Sequence, residues 1–261
     1  MMLHSGESAC MLVASLGNTH VRFAWADADG VLRDAGVAGV AAWQEDAVDL
    51  AAMLREGGGT GSGGCEAFYC STVPRLNGAW ERVVEEALGV RPQIITHRHK
   101  LGIGLDYPEP ERLGTDRLVN AAWAAHAYGA PVIVCDCGTC VTTDLVLPDS
   151  GFCGGIIQPG LRLFADYLHE RAEQLPAFDP DCGVPPIPGR STLEAMQLGA
   201  WVGWPAMVRA GFAVLLAHTG LECKVCVTGG DAAQVNAGDL ECDPLLTLRG
   251  VALVGSLNNE G

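Results

Sequence analysis

Basic residues are scarce in this sequence. Its 261 residues include 16 lysines and arginines against 31 aspartates and glutamates, which leaves a formal net charge of -15 at pH 7. This excess of negative charge argues against a basic face for nucleic acid and against binding to anionic membrane surfaces. We therefore predict no nucleic-acid partner and no membrane association.

Targeting and membrane-spanning patterns are missing as well. Met1 to Ser8 hold neither a basic stretch nor an apolar run, so no secretory signal is visible. No stretch of the sequence approaches the roughly 20 apolar residues that a membrane span needs. With 49% hydrophobic and 18% charged residues, the composition is that of a soluble globular protein. We predict a cytoplasmic location.

The eleven cysteines mostly lie in apolar, strand-like runs, which is typical of small buried residues. Examples are Cys10, Cys70, Cys135 and Cys226. Two close pairs, Cys137 with Cys140 and Cys223 with Cys226, also keep open a four-thiolate zinc site or a redox-active pair. The second pair lies in a strand-like run, where its side chains diverge, and the first opens a strand rather than a helix. We therefore favour buried, inert thiols.

A strand, a tight turn and a second strand occur twice with similar residues. The first copy runs from Met11 to Trp25 with Gly17-Asn18-Thr19 in its turn, and the second runs from Val132 to Leu147 with Gly138-Thr139. Glycine lets backbone N–H groups approach an anion, and the threonine hydroxyl adds a donor. Two such hairpins, about 120 residues apart, predict two related domains that bind one phosphate chain, as in actin-like sugar kinases and heat-shock ATPases.

Strands and helices alternate along the rest of the chain, which predicts an α/β fold. Helices are predicted over 41–56, 77–88, 114–127, 161–175 and 192–216, strands over 31–40, 67–70, 93–96 and 224–227, and a turn over 154–160. The glycine-rich segment 57–64 is predicted as a surface loop rather than a phosphate loop, because neither Lys-Ser/Thr nor a helix follows it. The stiff connector Tyr107-Pro108-Glu109-Pro110 predicts two domains, over 1–110 and 111–261.

Six short motifs follow one another in a fixed order, and together they carry more weight than any one of them. They are Gly17-Asn18-Thr19; Tyr107 followed by Gly114-Thr115-Asp116-Arg117; Asp136-Cys137-Gly138-Thr139; Gly154-Gly155 with Pro159-Gly160; Gly189-Arg190-Ser191-Thr192; and Thr228-Gly229-Gly230-Asp231. This order and spacing closely resemble the type III pantothenate kinases over residues 11–257, which is nearly the whole chain.

The resemblance implies two actin-like, ribonuclease H-like domains with mixed sheets and a cleft between them, assembled as a homodimer. It implies ATP-dependent phosphorylation of pantothenate to 4′-phosphopantothenate, the first step of coenzyme A biosynthesis. ATP would be used with Mg²⁺ or another divalent metal. A monovalent cation, K⁺ or NH₄⁺, would also be bound.

The resemblance also assigns roles to single residues. Asp116 matches the catalytic base, since a carboxylate can orient an alcohol and accept its proton. Substrate contacts match Tyr107, Gly114, Thr115, Arg117 and Thr192, and among them a guanidinium suits the pantothenate carboxylate. ATP contacts match Ser15, Gly17, Asn18, Thr19, Arg22 and Thr139, and the monovalent-cation ligand matches Asp136.

Some of these residues also have simpler structural interpretations. Asp116 would be stabilised by the dipole at a helix N-terminus whatever its chemistry. Tyr107 could cap the edge of a core, and Thr192 could be a helix N-cap. Gly229 and Gly230 could simply shape a turn. The motifs in register favour the catalytic and binding roles.

Two positions depart from the family's first phosphate motif, which begins with Asp and ends with Lys. Ser15 and Arg22 stand there in this chain. Serine lacks the negative charge that helps to hold a metal, whereas Arg22 keeps the positive charge. Three hypotheses follow: a working kinase, an impaired relative that binds ligand and acts as a regulatory or accessory protein, and another ATPase or phosphatase of the same fold. The kinase is favoured by the retained Asp116, Arg117, Asp136 and Thr192.

Overall fold

The computed structural model describes residues 11–27, 29–45, 48–57 and 65–259. Contacts divide the chain into two compact units. The first unit comprises Met1–Ala127 and Leu245–Gly261, and the second comprises Tyr128–Pro244. The predicted glycine-rich loop falls largely on residues 58–64, and the predicted environment of Cys10 falls on the first ten residues. Both lie outside the described residues.

A five-stranded mixed sheet forms the centre of the first unit. Its strands are β1 (Met11–Leu16), β2 (His20–Ala26), β3 (Leu32–Gly39), β4 (Glu66–Ser71) and β5 (Gln93–Ile94). Their order is β3-β2-β1-β4-β5, with β1, β2 and β3 antiparallel and with β4 and β5 continuing in parallel from β1. The predicted first hairpin is therefore the β1–β2 pair.

One face of this sheet is covered by three helices. They are α1 (Val40–Gln44), α2 (Leu50–Gly57) and α3 (Pro74–Leu88). Alternate residues of β1 and β2 point into this core, where Trp80 of α3 is fully buried. Proline at the first turn of α3 and Gly89 in the left-handed region at its end fix the length of that helix. The helix that we predicted over 41–56 is thus divided into α1 and α2.

The other face of the first sheet meets a helix from the end of the chain. The helix α4 spans Thr115–Tyr128 and α8 spans Leu246–Asn258. A Cβ on Gly250 of α8 would overlap the backbone carbonyl of Val119 in α4, and a Cβ on Gly255 would lie 2.7 Å from the Met11 sulfur. Glycine therefore permits these close approaches, which join α4 and α8 to the first unit.

The second unit repeats the topology of the first. Its strands are β6 (Val132–Cys137), β7 (Cys140–Leu147), β8 (Gly151–Pro159), β9 (Lys224–Thr228) and β10 (Glu241–Cys242), in the order β10-β9-β6-β7-β8. Again three strands are antiparallel and two continue in parallel. This repeated topology confirms the predicted α/β fold with two related mixed sheets. The predicted turn over 154–160 is wrong, because Gly154 to Pro159 belong to β8, which pairs with β7.

The helices of the second unit are α5 (Leu161–Arg171), α6 (Thr192–Thr219) and α7 (Ala232–Val235). Ala200, Trp204, Val208 and Phe212 of α6 pack into the core of this unit. By length and composition alone, α6 is long and apolar enough to cross a membrane. The prediction that no stretch approaches the length of a membrane span was therefore wrong for α6.

The unit boundaries also differ from the boundary predicted at residues 110 and 111. That boundary placed α4 and the C-terminal segment in the second domain, whereas the contacts place Thr115 to Ala127 and α8 in the first unit. The physical reason is the packing of α4 against α8, together with a hydrogen bond from the Ser71 N–H to the Thr115 hydroxyl. A proline-rich connector marks a stiff segment without showing which core the next helix joins.

Replacing Gly250 by alanine is expected to destabilise the first unit. The added Cβ would force α4 and α8 apart, and overpacking of this kind costs about 1–3 kcal/mol. The measurement is the urea midpoint of unfolding, which should fall. The matched control is Gly78→Ala in α3, where the nearest atom to the new Cβ is a terminal nitrogen of Arg82 at 3.8 Å. That change should stabilise by about 0.5–1 kcal/mol, so equal midpoints for the two variants would contradict the close approach.

Candidate functional site

The turn of the first hairpin presents exposed polar residues at the end of a buried strand. Gly17, Asn18 and Thr19 connect β1 to β2, and the Gly17 N–H donates to the His20 carbonyl over 3.0 Å. The Val40 N–H donates to the Thr19 carbonyl over 2.9 Å, so the first residue of α1 is hydrogen-bonded to the turn. Asn18 and Thr19 are exposed. Backbone and side-chain donors of this turn can therefore bind an anion.

Ser15 and Arg22 are direct partners across the first hairpin. Their Cα atoms are paired in the β1–β2 register, so both side chains lie on one face of the sheet. Ser15 is half-buried and Arg22 is exposed. Burial lowers the pKa of His20, and the positive charge of Arg22 lowers it further. The first hairpin therefore carries a cationic side chain beside a neutral hydroxyl.

Asp116 lies at the start of α4, where its carboxylate accepts a backbone hydrogen bond and fills a space beside a glycine. The Arg117 N–H donates to Asp116 Oδ1 over 2.9 Å, and a Cβ on Gly114 would lie only 2.6 Å from the same oxygen. Glycine at position 114 therefore leaves the space that the carboxylate occupies. Burial raises the pKa of Asp116, whereas the Arg117 N–H and the Arg117 charge oppose the shift. Arg117 itself is 8% exposed.

The end of β4 joins the first hairpin to the start of α4. The Thr72 N–H donates to the Leu16 carbonyl over 3.1 Å, just before the hairpin turn. The Ser71 N–H donates to the Thr115 hydroxyl over 2.9 Å, and this hydroxyl donates to the Ser71 carbonyl over 3.2 Å. The predicted phosphate turn and the predicted base are thus anchored on two consecutive residues.

Sequence reasoning did not identify Ser71 and Thr72 as parts of the site. Two hydroxyl residues directly after the apolar strand residues 67–70, and ahead of Pro74, were the available signal.

Tyr107 lies half-buried in the connection between β5 and α4, before a short 3-10 turn over Pro110–Arg112. All the predicted site residues up to Arg117 therefore belong to the first unit.

The second hairpin places Asp136 between two glycine turns. Gly138 and Thr139 connect β6 to β7, and the Gly160 N–H donates to the Thr139 carbonyl over 3.1 Å. Gly229 has a φ of +94°, and a Cβ there would lie 2.6 Å from Asp136 Oδ1. The half-buried Asp136 carboxylate thus offers hard oxygen donors beside a space that a side chain at position 229 would fill.

A second carboxylate, Asp231, lies next to the second hairpin. Its N–H donates to the Cys137 carbonyl over 3.1 Å, which ties the turn after β9 to the end of β6. Burial raises the pKa of Asp231, the Arg162 charge opposes that shift, and the Asp181 charge adds to it. In the sequence, Asp231 is recognisable only as the last residue of a glycine turn. It lies close to β6 because β9 pairs with β6 in parallel.

Thr192 is the first residue of α6 and is exposed. The N-cap of α6 is Ser191, whose hydroxyl accepts the Glu194 N–H over 3.2 Å, while a Glu194 oxygen accepts the Arg190 N–H over 2.6 Å. The structural alternative of Thr192 as the N-cap is therefore wrong. Its hydroxyl is not used for capping.

The two cysteine pairs do not present their thiols in a common environment. Cys137 is buried and Cys140 is exposed, whereas Cys226 is buried and Cys223 is half-buried. A hydrogen bond with Cys135, together with burial, raises the pKa of Cys137, and burial raises the pKa of Cys226 to about 12. Within residues 11–27, 29–45, 48–57 and 65–259, no group of three or more His, Cys, Asp or Glu side chains could hold a metal ion.

Solved structures with a similar course of the chain show the fold alone. A protein from Campylobacter jejuni assigned to the Baf family of transcriptional activators has a TM-score of 0.56 at 18% identity, covering 93% of this chain and 96% of that one. A ROK family glucokinase from Streptomyces griseus, solved with glucose and AMPPNP, has a TM-score of 0.51 at 14% identity, covering 97% and 100%. Both likenesses extend over nearly the whole chain and are likenesses of fold.

Sequence comparison is more specific. The type III pantothenate kinase of Akkermansia muciniphila is 41% identical over 198 residues, which cover 74% of this chain and 78% of the relative. The type III pantothenate kinase of Acidiphilium cryptum is 32% identical over 262 residues, which cover 95% and 94%. A family model described as type III pantothenate kinase matches residues 11–213. From these matches, and from the two hairpins that the fold repeats, we conclude that the chain belongs to the type III pantothenate kinase family.

Proposed function

We propose that this chain phosphorylates pantothenate with ATP and yields 4′-phosphopantothenate, in the first step of coenzyme A biosynthesis. The observation that carries the proposal is the common anchor at the end of β4, where Thr72 bonds the phosphate hairpin and Ser71 bonds the start of α4. Phosphoryl transfer to an alcohol requires that the phosphate chain and the accepting hydroxyl be held in a fixed relation. The anchor supplies such a relation within the first unit.

Asp116 is the group that we expect to orient the pantothenate hydroxyl and to accept its proton. Its raised pKa makes this carboxylate a stronger base than an exposed aspartate would be. The hydrogen bond from the Arg117 N–H holds the carboxylate in one orientation. As pH falls through the raised pKa, Asp116 becomes protonated and the rate should fall.

The remaining substrate contacts are proposed from their chemistry. The Arg117 guanidinium suits the pantothenate carboxylate, and its burial strengthens such a charge pair because little water screens it. Gly114 and Thr115 supply backbone groups next to Asp116, whereas Tyr107 and Thr192 supply hydroxyls. These assignments follow the motif positions.

ATP would enter with a divalent metal as the metal–nucleotide substrate. At the first hairpin, Ser15 offers a hydroxyl where a carboxylate could have bound the metal, so we expect phosphate oxygens and water to hold most of the metal's coordination. Gly17, Asn18, Thr19 and Arg22 are the residues of the first unit that we propose for the triphosphate, and Thr139 of the second hairpin is proposed as an ATP-binding residue from its motif position. Asp136 would hold the monovalent cation.

A regulatory role without catalysis is not favoured. The curated relatives cited above are named as kinases, and the likeness to the Baf family protein is a likeness of fold. The pair of Ser15 and Arg22 is the feature that would weaken catalysis, and it can be tested directly.

A homodimer is proposed from the exposed apolar residues of α6. Trp204 and Val208 pack inward, whereas several large apolar residues of the same helix are exposed. They are Leu193, Trp201, Val202 and Val214. Apolar surface of this extent on one helix indicates an interface, and a second copy of the chain is the occupant that we propose. With these residues covered by a second copy, α6 would fit the cytoplasmic enzyme that we propose.

Changing Asp116 to asparagine should reduce phosphorylation of pantothenate by about 10²–10⁴-fold, because the amide cannot accept the proton. The assay is formation of 4′-phosphopantothenate from ATP with magnesium and potassium, measured by mass spectrometry. Asp149→Asn, at an exposed turn between β7 and β8, is the control and should keep full activity. Unchanged turnover in Asp116→Asn would remove Asp116 as the base.

Changing Ser15 to aspartate should lower the magnesium concentration needed for half-maximal rate by about tenfold, which corresponds to about 1.4 kcal/mol. The new carboxylate would face Arg22 across the hairpin and could also bind metal. Ser15→Ala separates loss of the hydroxyl from gain of charge and should not increase metal affinity. An unchanged magnesium dependence in Ser15→Asp would mean that this site functions around serine.

Changing Val202 to glutamate should convert a dimer to monomers, because the charge would be buried in the proposed interface. Sedimentation velocity measures the outcome. The control is Val37→Glu on β3, where valine is exposed to a similar extent, 56% against 54%, but lies in the first unit. A wild-type monomer, or a dimer that survives Val202→Glu, would contradict the proposed interface.

A further inference from the structure

Backbone groups at the end of β4 face two different neighbours. In a parallel ladder, the N–H and C=O of one residue face the same neighbouring strand, and the next residue faces the other side. The Tyr69 carbonyl accepts the Ile95 N–H over 2.8 Å, so it faces β5, and Ser71 two residues later faces the same side. The Thr72 N–H faces β1 and donates to the Leu16 carbonyl.

Ser71 therefore extends past the end of β5, which stops at Ile94. Its N–H and C=O would both lack a strand partner at this edge. The Thr115 hydroxyl occupies that place, since it accepts the Ser71 N–H over 2.9 Å and donates to the Ser71 carbonyl over 3.2 Å. One hydroxyl thus supplies both bonds that a continued β5 strand would have made to Ser71.

The position of Thr115 fixes its neighbour. Asp116 follows directly, its carboxylate fills the space beside Gly114, and the Arg117 N–H holds Oδ1. The hairpin turn is held from the same end of β4 through Thr72. The distance between the phosphate turn and the carboxylate is therefore set by two adjacent residues of one strand.

We propose that the Thr115 hydroxyl is a positioning group that sets Asp116 relative to the phosphate-binding hairpin by completing the β4 ladder at Ser71. The inference rests on the proposed function, in which Asp116 acts on the accepting hydroxyl. It gives the Thr115 side chain a role through Asp116, separate from the substrate contact that its backbone can make.

The test compares Thr115→Val with Thr115→Ser. Valine keeps the shape and removes both hydrogen bonds, whereas serine keeps the hydroxyl. We expect kcat to fall about tenfold or more in Thr115→Val with the KM for ATP changed less than about twofold, and to return to within about threefold of wild type in Thr115→Ser. Loss of the anchor also admits water to Asp116, so the acid limb of the kcat–pH profile should move to lower pH.

The matched control is Thr219→Val at the end of α6. The Thr219 hydroxyl also bonds two backbone groups, donating to the Leu216 carbonyl over 3.0 Å and accepting the Leu221 N–H over 3.2 Å. Its loss should lower the unfolding midpoint without moving kcat or the acid limb. A full kcat in Thr115→Val, a similar kcat loss in Thr219→Val, or no recovery in Thr115→Ser would each overturn the proposal.

Hydrogen exchange separates this proposal from the proposed function. The Arg117 and Leu118 N–H groups donate to the Gly114 carbonyl over 3.1 and 3.4 Å, and their exchange should accelerate at least about tenfold in Thr115→Val but not in Thr219→Val. A wild-type chain without turnover on pantothenate would refute the proposed function, and unchanged exchange in Thr115→Val would refute the anchor. If the valine variant does not fold, Thr115→Ala against Thr115→Ser gives the same comparison.

Discussion

The alternation of backbone hydrogen bonds along β4 is the constraint on which the candidate site depends. Because successive residues face opposite neighbours, Ser71 and Thr72 can hold α4 and the first hairpin at the same time. Neither attachment requires a side chain that also touches substrate. Gly114 leaves the space that the Asp116 carboxylate occupies, and the Arg117 N–H holds one of its oxygens.

The two hairpins share one topology but carry different charges at equivalent positions. Ser15 and Asp136 occupy the same place, two residues before the turn glycine, and their cross-strand partners are Arg22 and Thr142. The first hairpin therefore carries a cation without a carboxylate, and the second a carboxylate without a cation. A nucleotide polyanion suits the first arrangement, and a monovalent metal suits the second. The repeat keeps the fold while its chemistry diverges.

Much of the fold followed from the sequence because its signals are local. Apolar strand-like runs on either side of the turns at Gly17 and Gly138 predicted both hairpins, and the motif order predicted the family that the comparisons confirmed. The attachment of α4 to the first unit did not follow, because it depends on Gly250 meeting Val119 more than 100 positions away along the chain. The roles of the site residues remain predictions. That Ser71, Thr72 and Asp231 lie next to those residues is visible only in the structure, because the contacts join residues far apart in the sequence.

The return of α8 to the first sheet has a consequence for synthesis of the chain. The second unit is one continuous segment, Tyr128–Pro244, and can begin to fold once its own residues have left the ribosome. The first unit begins earlier but needs Leu246–Asn258 to cover its sheet and to support α4. Its apolar face therefore stays uncovered until α8 has been translated, after the whole of the second unit. The unit that is made first is the one that matures last.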